Sequence, residues 1–143
     1  GVMIAAMVGI HHFTTVGRNS YIGATTPVRR DVPPFTIFEG DPNEVRSINA
    51  EGLKRHGFDT DVIMQLKKAY SQLYRKGASL EVAARELLAQ TDNEQVKYFA
   101  QAVVNSCSSR FGRYLEENRQ DKDLSKVDRR PAEIREAQAK EKQ

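Results

Sequence analysis

The first 28 residues carry aliphatic side chains at a spacing that fits neither of the two common secondary structures. Ile4, Ile10, Val16, Ile22 and Val28 lie six residues apart without a slip. A strand repeats every two residues and a helix every 3.6, whereas a triangular coil with six-residue sides turns one aliphatic side chain inward per side. The pattern therefore predicts the end of a left-handed parallel β-helix, built from hexapeptide repeats, over residues 1–38.

Small residues accompany these aliphatic positions. Ala5, Gly17 and Gly23 follow them directly, and we expect the corners of the coil to need such small side chains. The repeat covers only about one and a half coils, which bury little surface and leave strand edges unpaired, whereas repeat arrays generally need several units. We therefore expect most of the solenoid to lie upstream, and the open coil end to promote self-association.

The repeat ends at the sequence DVPP, residues 31–34. Two consecutive prolines remove backbone donors and fix φ, which redirects the chain. Residues 35–38 are predicted to form a short final strand, and Pro42 to open a helix.

Beyond residue 42 the apolar period becomes helical. The spacing predicts a first helix over residues 43–56 that ends at Gly57, and further helices capped by Asp59, by Ser79 and by the TDNE sequence at residues 91–94. The predicted inward-facing residues are Val62, Ile63, Leu66, Tyr70, Leu73, Tyr74, Val82, Ala83, Leu87, Leu88, Val96, Phe99, Val103, Cys107 and Tyr114. We expect a helical domain over residues 41–116 and a charged, mobile tail over residues 117–143.

Composition narrows the classes of function. The 143 residues include 22 basic and 19 acidic side chains, and a net charge of +3 is too mild to indicate a nucleic-acid partner. No apolar run is long enough to span a bilayer, and the apolar start lacks the basic segment of a signal peptide. A single cysteine, Cys107, suits a reducing compartment. We expect a cytoplasmic protein.

Several short motifs occur together in the order known from one enzyme family. They are IHHF at residues 10–13, DVPPF at 31–35, NAEGLKRHGF at 49–58, AY at 69–70, YR at 74–75 and SR at 109–110. The NxxGLKRxGF pattern is highly specific, whereas DVPP recurs in many hexapeptide transferases. The chain resembles the C-terminal part of acyl-[acyl-carrier-protein]–UDP-N-acetylglucosamine O-acyltransferases, which catalyse the first step of lipid A synthesis.

The resemblance implies an assembly and a reaction. The family's proteins are homotrimers with active sites between subunits, and they move a 3-hydroxyacyl group from acyl carrier protein to the 3-hydroxyl of UDP-N-acetylglucosamine. The carrier-protein thioester is the co-substrate, and no metal or bound organic cofactor is expected. The family's general base is a histidine on an earlier coil, and no residue of this chain matches it.

The resemblance also implies roles for individual residues. His11 matches an active-site histidine that helps to position the substrate, and His12 stands where the family usually has glutamine. Ala24 matches a position that limits the length of the acyl chain. The expected nucleotide-sugar contacts are Asn49, Glu51, Arg55 and His56.

Plainer interpretations of these residues remain open from spacing alone. His11 could be a corner histidine bonded to solvent or to a neighbouring coil. Glu51 and Arg55 could form an exposed ion pair, worth about 0.3–0.5 kcal/mol on a helix surface. Consecutive residues on a coil diverge, so we expect no metal site at His11 and His12. The basic residues that could receive the acidic helices of acyl carrier protein, or could simply form a solvated surface, are Arg18, Arg29, Arg30 and Lys54.

Two other functions compete with the O-acyltransferase. One is a sibling hexapeptide N-acyltransferase, although the GLKRxGF pattern argues against it. The other is a non-catalytic trimerisation or scaffold module that has kept the fold without the chemistry. Binding of UDP-N-acetylglucosamine by an assembled trimer would separate an enzyme from such a scaffold.

Overall fold

The computed structural model describes residues 1–40, 42–75, 77 and 79–117. The tail predicted over residues 117–143 therefore lies, except for Glu117, outside the described residues. In the described part, no helix is long and apolar enough to cross a bilayer.

The N-terminal part winds into stacked turns with three sides. Its strands are β1 (Met3–Ile4), β2 (Gly9–Ile10), β3 (Tyr21–Ile22) and β4 (Pro27–Val28). β1 pairs in parallel with β3 and β2 with β4, so that Met3 faces Tyr21, 18 residues later. The third side is a parallel bridge between Val16 and Val32. This arrangement agrees with the prediction of three six-residue sides per turn.

The corners of the coil are occupied by residues with left-handed backbone. Met7, Phe13, Asn19 and Thr25 have φ values of 56°, 61°, 55° and 57°, and they recur every six residues. The expectation of small residues at the corners is therefore wrong. Gly17 and Gly23 lie instead along the sides, where a Cβ on Gly23 would lie 2.6 Å from the Glu39 side chain and one on Gly17 would collide with Pro34.

Only the end of the coil nearest the helices has a dry interior. Ile22 and Val28 are fully buried, whereas Ile4 and Ile10 are 48% and 42% exposed. β1 is the outer strand of its sheet and pairs only with β3. The opposite end of the coil therefore presents an unpaired strand edge together with apolar side chains.

The predicted helix over residues 43–56 is wrong in its first half. β5 (Thr36–Glu39) continues the sheet beside β3, and β6 (Glu44–Ile48) turns back to pair with it in antiparallel fashion. Pro42 lies in the turn between them rather than at a helix start. The open edge of β5 supplies hydrogen-bond partners that a helix at this position would have left unused.

The remaining elements are helical, as the period predicts. They are α1 (Ala50–Arg55), α2 (Thr60–Tyr74), α3 (Leu80–Gln90), α4 (Glu94–Ser108) and the short α5 (Tyr114–Glu117). The predicted end of α1 is confirmed: Gly57 has φ of +76°, and its amide and that of Phe58 donate to the carbonyls of Lys54 and Leu53. These two bonds form a Schellman motif.

The predicted helix starts are correct in position but differ in mechanism. Asp59 and Ser79 precede α2 and α3, but neither side chain makes a capping hydrogen bond. At α4 the cap is Asn93, whose side-chain oxygen accepts from the amides of Gln95 and Val96. Thr91 supports this cap by accepting from the amide of Asn93.

The helices enclose a second core, separate from the interior of the coil. Its fully buried members include Phe35, Leu53, Leu66 and Phe99. Two predicted core positions are wrong: Val82 is 51% exposed and Tyr114 is 43% exposed. Val82 lies outside the buried face that Ala83, Ala84 and Leu87 give α3, and Tyr114 is no longer on α4, which ends at Ser108.

Candidate functional site

The candidate residues lie beside three different corners of the coil, whose corner residues are Phe13, Thr25 and Asn19. Beside these corners lie, in the same order, His11 with His12, Ala24, and Asn49. Six residues of extended chain join neighbouring corners, which separates them by roughly 15–20 Å. One copy of the chain therefore does not bring the three groups into one pocket.

The two histidines stack on each other instead of diverging, so that expectation is wrong. Their ring centroids are 4.1 Å apart at an interplanar angle of 25°, and the edge of His12 meets the ring of Phe13. The left-handed backbone at Phe13 turns the chain here, and Nδ1 of His11 lies 2.8 Å from the His12 carbonyl oxygen. Because a carbonyl only accepts, Nδ1 carries the proton, and Nε2 of neutral His11 is left as an acceptor.

Helix α5 lies beside the histidine pair, a feature that no sequence motif predicted. Arg113 donates to the backbone carbonyl of Arg29 at 2.8 Å and pairs with Glu116. The hydrogen bond from Arg113 is the main cause of a lowered pKa at Glu116, and the nearby charges of His11 and His12 add to it. The described residues contain no cluster of three or more His, Cys, Asp or Glu side chains that could hold a metal ion.

Asn49 connects helix α1 to the coil. Its side-chain oxygen accepts from the amide of Gly52 at 3.1 Å, which makes it the N-cap of the helix, and its amide group donates to the Asn19 carbonyl at 3.0 Å. A Cβ at position 52 would collide with this amide group. The Asn-x-x-Gly spacing in the sequence is thus explained by the cap itself, before any ligand is considered.

The other residues of the α1 motif are exposed, and their pairing differs from the sequence-based alternative. Glu51 bonds to Lys54 at 3.0 Å, which lowers the pKa of the Glu51 carboxyl, so the Glu51–Arg55 ion pair is wrong. Within the described residues, the Arg55 guanidinium makes no hydrogen bond or ion pair. His56 lies at the end of α1 close to Gly1, so this end of the helix meets the coil.

The four basic residues considered for an acidic partner fall into two groups. Arg18 lies over the ring of Tyr98, at 4.3 Å, and over that of Phe35, and it donates to Gln95 at 2.6 Å. It joins the coil to α4, and Lys54 is paired with Glu51. Arg29 and Arg30, in contrast, have exposed side chains with no hydrogen bond or ion pair to another described residue.

Comparison with protein families and curated sequences gives a consistent result. A family model described as UDP-N-acetylglucosamine O-acyltransferase, domain 2, matches residues 31–112. The acyl-[acyl-carrier-protein]–UDP-N-acetylglucosamine O-acyltransferase of Nautilia profundicola is 40% identical over 105 residues, which are 73% of this chain and 40% of that protein. The chain thus spans two fifths of the length of this relative.

Solved structures agree with the sequence comparison. The UDP-N-acetylglucosamine acyltransferase of Francisella novicida is 30% identical, with a TM-score of 0.67 over 78% of this chain and 40% of that chain. The corresponding enzyme of Arabidopsis is 26% identical, with a TM-score of 0.70 over 76% of this chain and 40% of that chain.

Proposed function

The chain belongs to the family of UDP-N-acetylglucosamine O-acyltransferases, and we propose that it serves the transfer of a 3-hydroxyacyl group to the 3-hydroxyl of UDP-N-acetylglucosamine. The acyl donor is the thioester of acyl carrier protein, and the reaction is the first step of lipid A synthesis in the cytoplasm. The observation that carries the proposal is the family's NxxGLKRxGF pattern, folded as a helix that is capped on a corner of the coil and leaves Arg55 unpaired.

We further propose that the coil is the end of a left-handed β-helix and that three chains assemble side by side. The support for this assembly is the distribution of the candidate residues over three corners of one chain. Around a threefold axis, one corner of a subunit faces a different corner of its neighbour. His11 of one chain and Asn49 of another could then line the same cleft.

The chemistry of transfer sets the demands on such a cleft. The sugar hydroxyl gives its proton to a base while its oxygen attacks the thioester carbon, and the tetrahedral intermediate needs hydrogen-bond donors for its oxyanion. Collapse of this intermediate releases the carrier-protein thiol, which takes up a proton. His11 has the role of orienting substrate through Nε2, and His12 lies stacked against it. No metal or bound organic cofactor is required.

The nucleotide is held by α1 in this proposal. Arg55 pairs with a phosphate oxygen, and Glu51 and Asn49 bond uracil or ribose, although the cap leaves Asn49 only part of its hydrogen-bonding capacity. His56, where the family often has arginine, gives a weaker second contact. Acyl carrier protein docks through Arg29 and Arg30, because Arg18 and Lys54 are already engaged within the chain.

The proposal is tested by measuring acyl transfer in a complete form of the enzyme that contains this segment. We expect UDP-N-acetylglucosamine to accept an acyl group from a 3-hydroxyacyl carrier protein in an ester linkage that mild alkali cleaves. An alkali-stable amide product would instead identify the sibling N-acyltransferase. A trimer that neither binds the nucleotide sugar nor turns it over would support the scaffold alternative.

Arg55→Ala in the complete enzyme is expected to raise KM for the nucleotide sugar at least about tenfold, or roughly 1.4 kcal/mol. The reason is the loss of a phosphate contact from a guanidinium that has no partner within the described residues. Lys67→Ala, which removes an exposed cation from α2, is the matched control and should leave KM unchanged. An unchanged KM in Arg55→Ala, with only a lower melting temperature, would contradict the assignment.

Ala24→Gly is expected to shift the preferred acyl chain towards greater length. Ala24 is exposed beside the corner at Thr25, where a substrate bound between subunits could meet it. Its methyl group takes the space of about one CH₂, which is worth about 0.8 kcal/mol, or roughly fourfold in relative kcat/KM. Competition between acyl donors of different length measures the shift, and an unchanged profile would remove Ala24 from the acyl site.

A further inference from the structure

A groove of about 740 Å³ lies between the last turn of the coil and the helices, and none of the roles above uses its interior. This volume is within the range of small-molecule sites. Apolar side chains from both parts of the chain line it, namely Phe38, Val45, Leu80 and Val103. The groove therefore offers a surface on which an apolar chain can be buried.

Two unpaired arginines lie along the same groove. Arg29 and Arg30 both line it, and neither forms a hydrogen bond or ion pair with another described residue. The charge of Arg30 acts on both Tyr74 and Cys107, which places this guanidinium near the wall formed by α2 and α4. The adjacent residues thus bring two positive charges to one apolar groove.

The other charged groups of the groove are already matched. Arg113 pairs with Glu116 and with the Arg29 carbonyl, and Glu44 pairs with Arg46. The carboxylate of Asp31 accepts two backbone hydrogen bonds. Within the described residues, Arg29 and Arg30 are therefore the groove's cations without a counter-charge.

A hydroxyl donor completes the lining. The rings of Tyr70 and Tyr74 stack with centroids 5.1 Å apart, and the Tyr70 hydroxyl donates to the Arg46 carbonyl at 2.5 Å. The Tyr74 hydroxyl makes no hydrogen bond to another described residue. Burial raises the pKa of Tyr74 well above its usual value, so this hydroxyl remains a neutral donor.

We propose that this groove binds a phosphate monoester that carries an apolar chain. Near neutral pH a phosphate monoester carries about 1.5 to 2 negative charges, which match two guanidiniums, and arginine binds phosphate oxygens in bidentate fashion. The phosphate lies between Arg29 and Arg30, the chain lies along the apolar lining, and Tyr74 donates to a phosphate oxygen. This site is independent of acyl transfer and goes beyond it.

The test measures binding of monomeric octyl phosphate to the purified 143-residue chain by calorimetry. Arg29→Gln/Arg30→Gln removes both charges with little change in volume, and we expect at least a tenfold increase in Kd. Lys67→Gln/Lys68→Gln removes two exposed charges from α2 and should leave Kd unchanged. Tyr74→Phe, which keeps the ring, should weaken binding to a smaller extent. Thermal melts of each variant check that it folds like the parent chain.

Three matched probes separate the parts of the ligand. Inorganic phosphate and octyl glucoside should each bind at least tenfold more weakly than octyl phosphate, because each lacks one part of the ligand. Equal loss of affinity in both double variants, or octyl glucoside binding as tightly as octyl phosphate, would overturn the proposal. Binding only to vesicles that contain phosphatidic acid, without binding of monomeric octyl phosphate, would overturn it in favour of a membrane surface.

Discussion

Asp31→Ala is expected to lower the free energy of unfolding by about 2–4 kcal/mol. Asp31 is buried, and its two carboxylate oxygens accept from the amides of Thr15 at 2.7 Å and Tyr114 at 2.8 Å. Its own amide donates to the Gly112 carbonyl at 2.7 Å. Each buried amide that loses its acceptor costs about 1–3 kcal/mol, and partial access of water to Tyr114 keeps the sum below the maximum.

The location of the damage distinguishes this mechanism from general destabilisation. Asp31 connects two turns of the coil to the start of α5, so hydrogen exchange should rise first at Thr15 and at Tyr114. Asp31→Asn keeps one acceptor oxygen and should lose about half as much stability in urea denaturation. Asp92→Ala, an exposed acid between α3 and α4, is the control. A variant Asp31→Ala that unfolds within about 0.5 kcal/mol of the parent chain would contradict the role.

The three-sided coil could be predicted because its signal is one-dimensional. A spacing of six at Ile4, Ile10, Val16, Ile22 and Val28 is visible without any knowledge of contacts, and the parallel ladders follow it. The corner residues could not be predicted in the same way. They are set by a left-handed backbone that pairing between successive turns stabilises, so that even Met7 and Phe13 accept it.

Strand β6 shows how a distant partner overrides a local pattern. Residues 44–48 read EVRSI, and glutamate and arginine both favour helices. The decisive factor is the edge of β5, whose hydrogen-bonding groups β6 satisfies. Local propensity predicts the helix only from Ala50 onwards, where Asn49 supplies the cap.

The candidate site was identified by the family's motifs, but the contacts of its residues depend on distant parts of the chain. Arg18 is held by Gln95, 77 positions away, and Asp31 holds Tyr114, 83 positions away. Sequence spacing gave no access to such pairs. It therefore could not separate a structural arginine at position 18 from the unpaired arginines at 29 and 30, or predict that α5 lies beside the histidines.

The isolated 143-residue chain is expected to show no acyl transfer. Its three histidines have other positions: His11 and His12 stack at one corner, and His56 lies at the end of α1 near Gly1. None matches the family's general base, and loss of a general base costs about 10²–10⁴-fold in rate. Because the candidate residues also occupy three corners, a single copy lacks a complete cleft, and the lost binding surface lowers the rate further.

The measurement is a thioester-transfer assay on the purified chain at several protein concentrations, with the variant His11→Ala assayed beside it. Concentration matters because the exposed strand edge at β1 favours self-association, and only an assembled form could bring different corners together. Binding of UDP-N-acetylglucosamine, measured in the same samples, separates a missing base from a missing site. Binding without turnover is the expected result at high concentration. Turnover near that of an intact relative, abolished in His11→Ala, would contradict this prediction and identify His11 as the base.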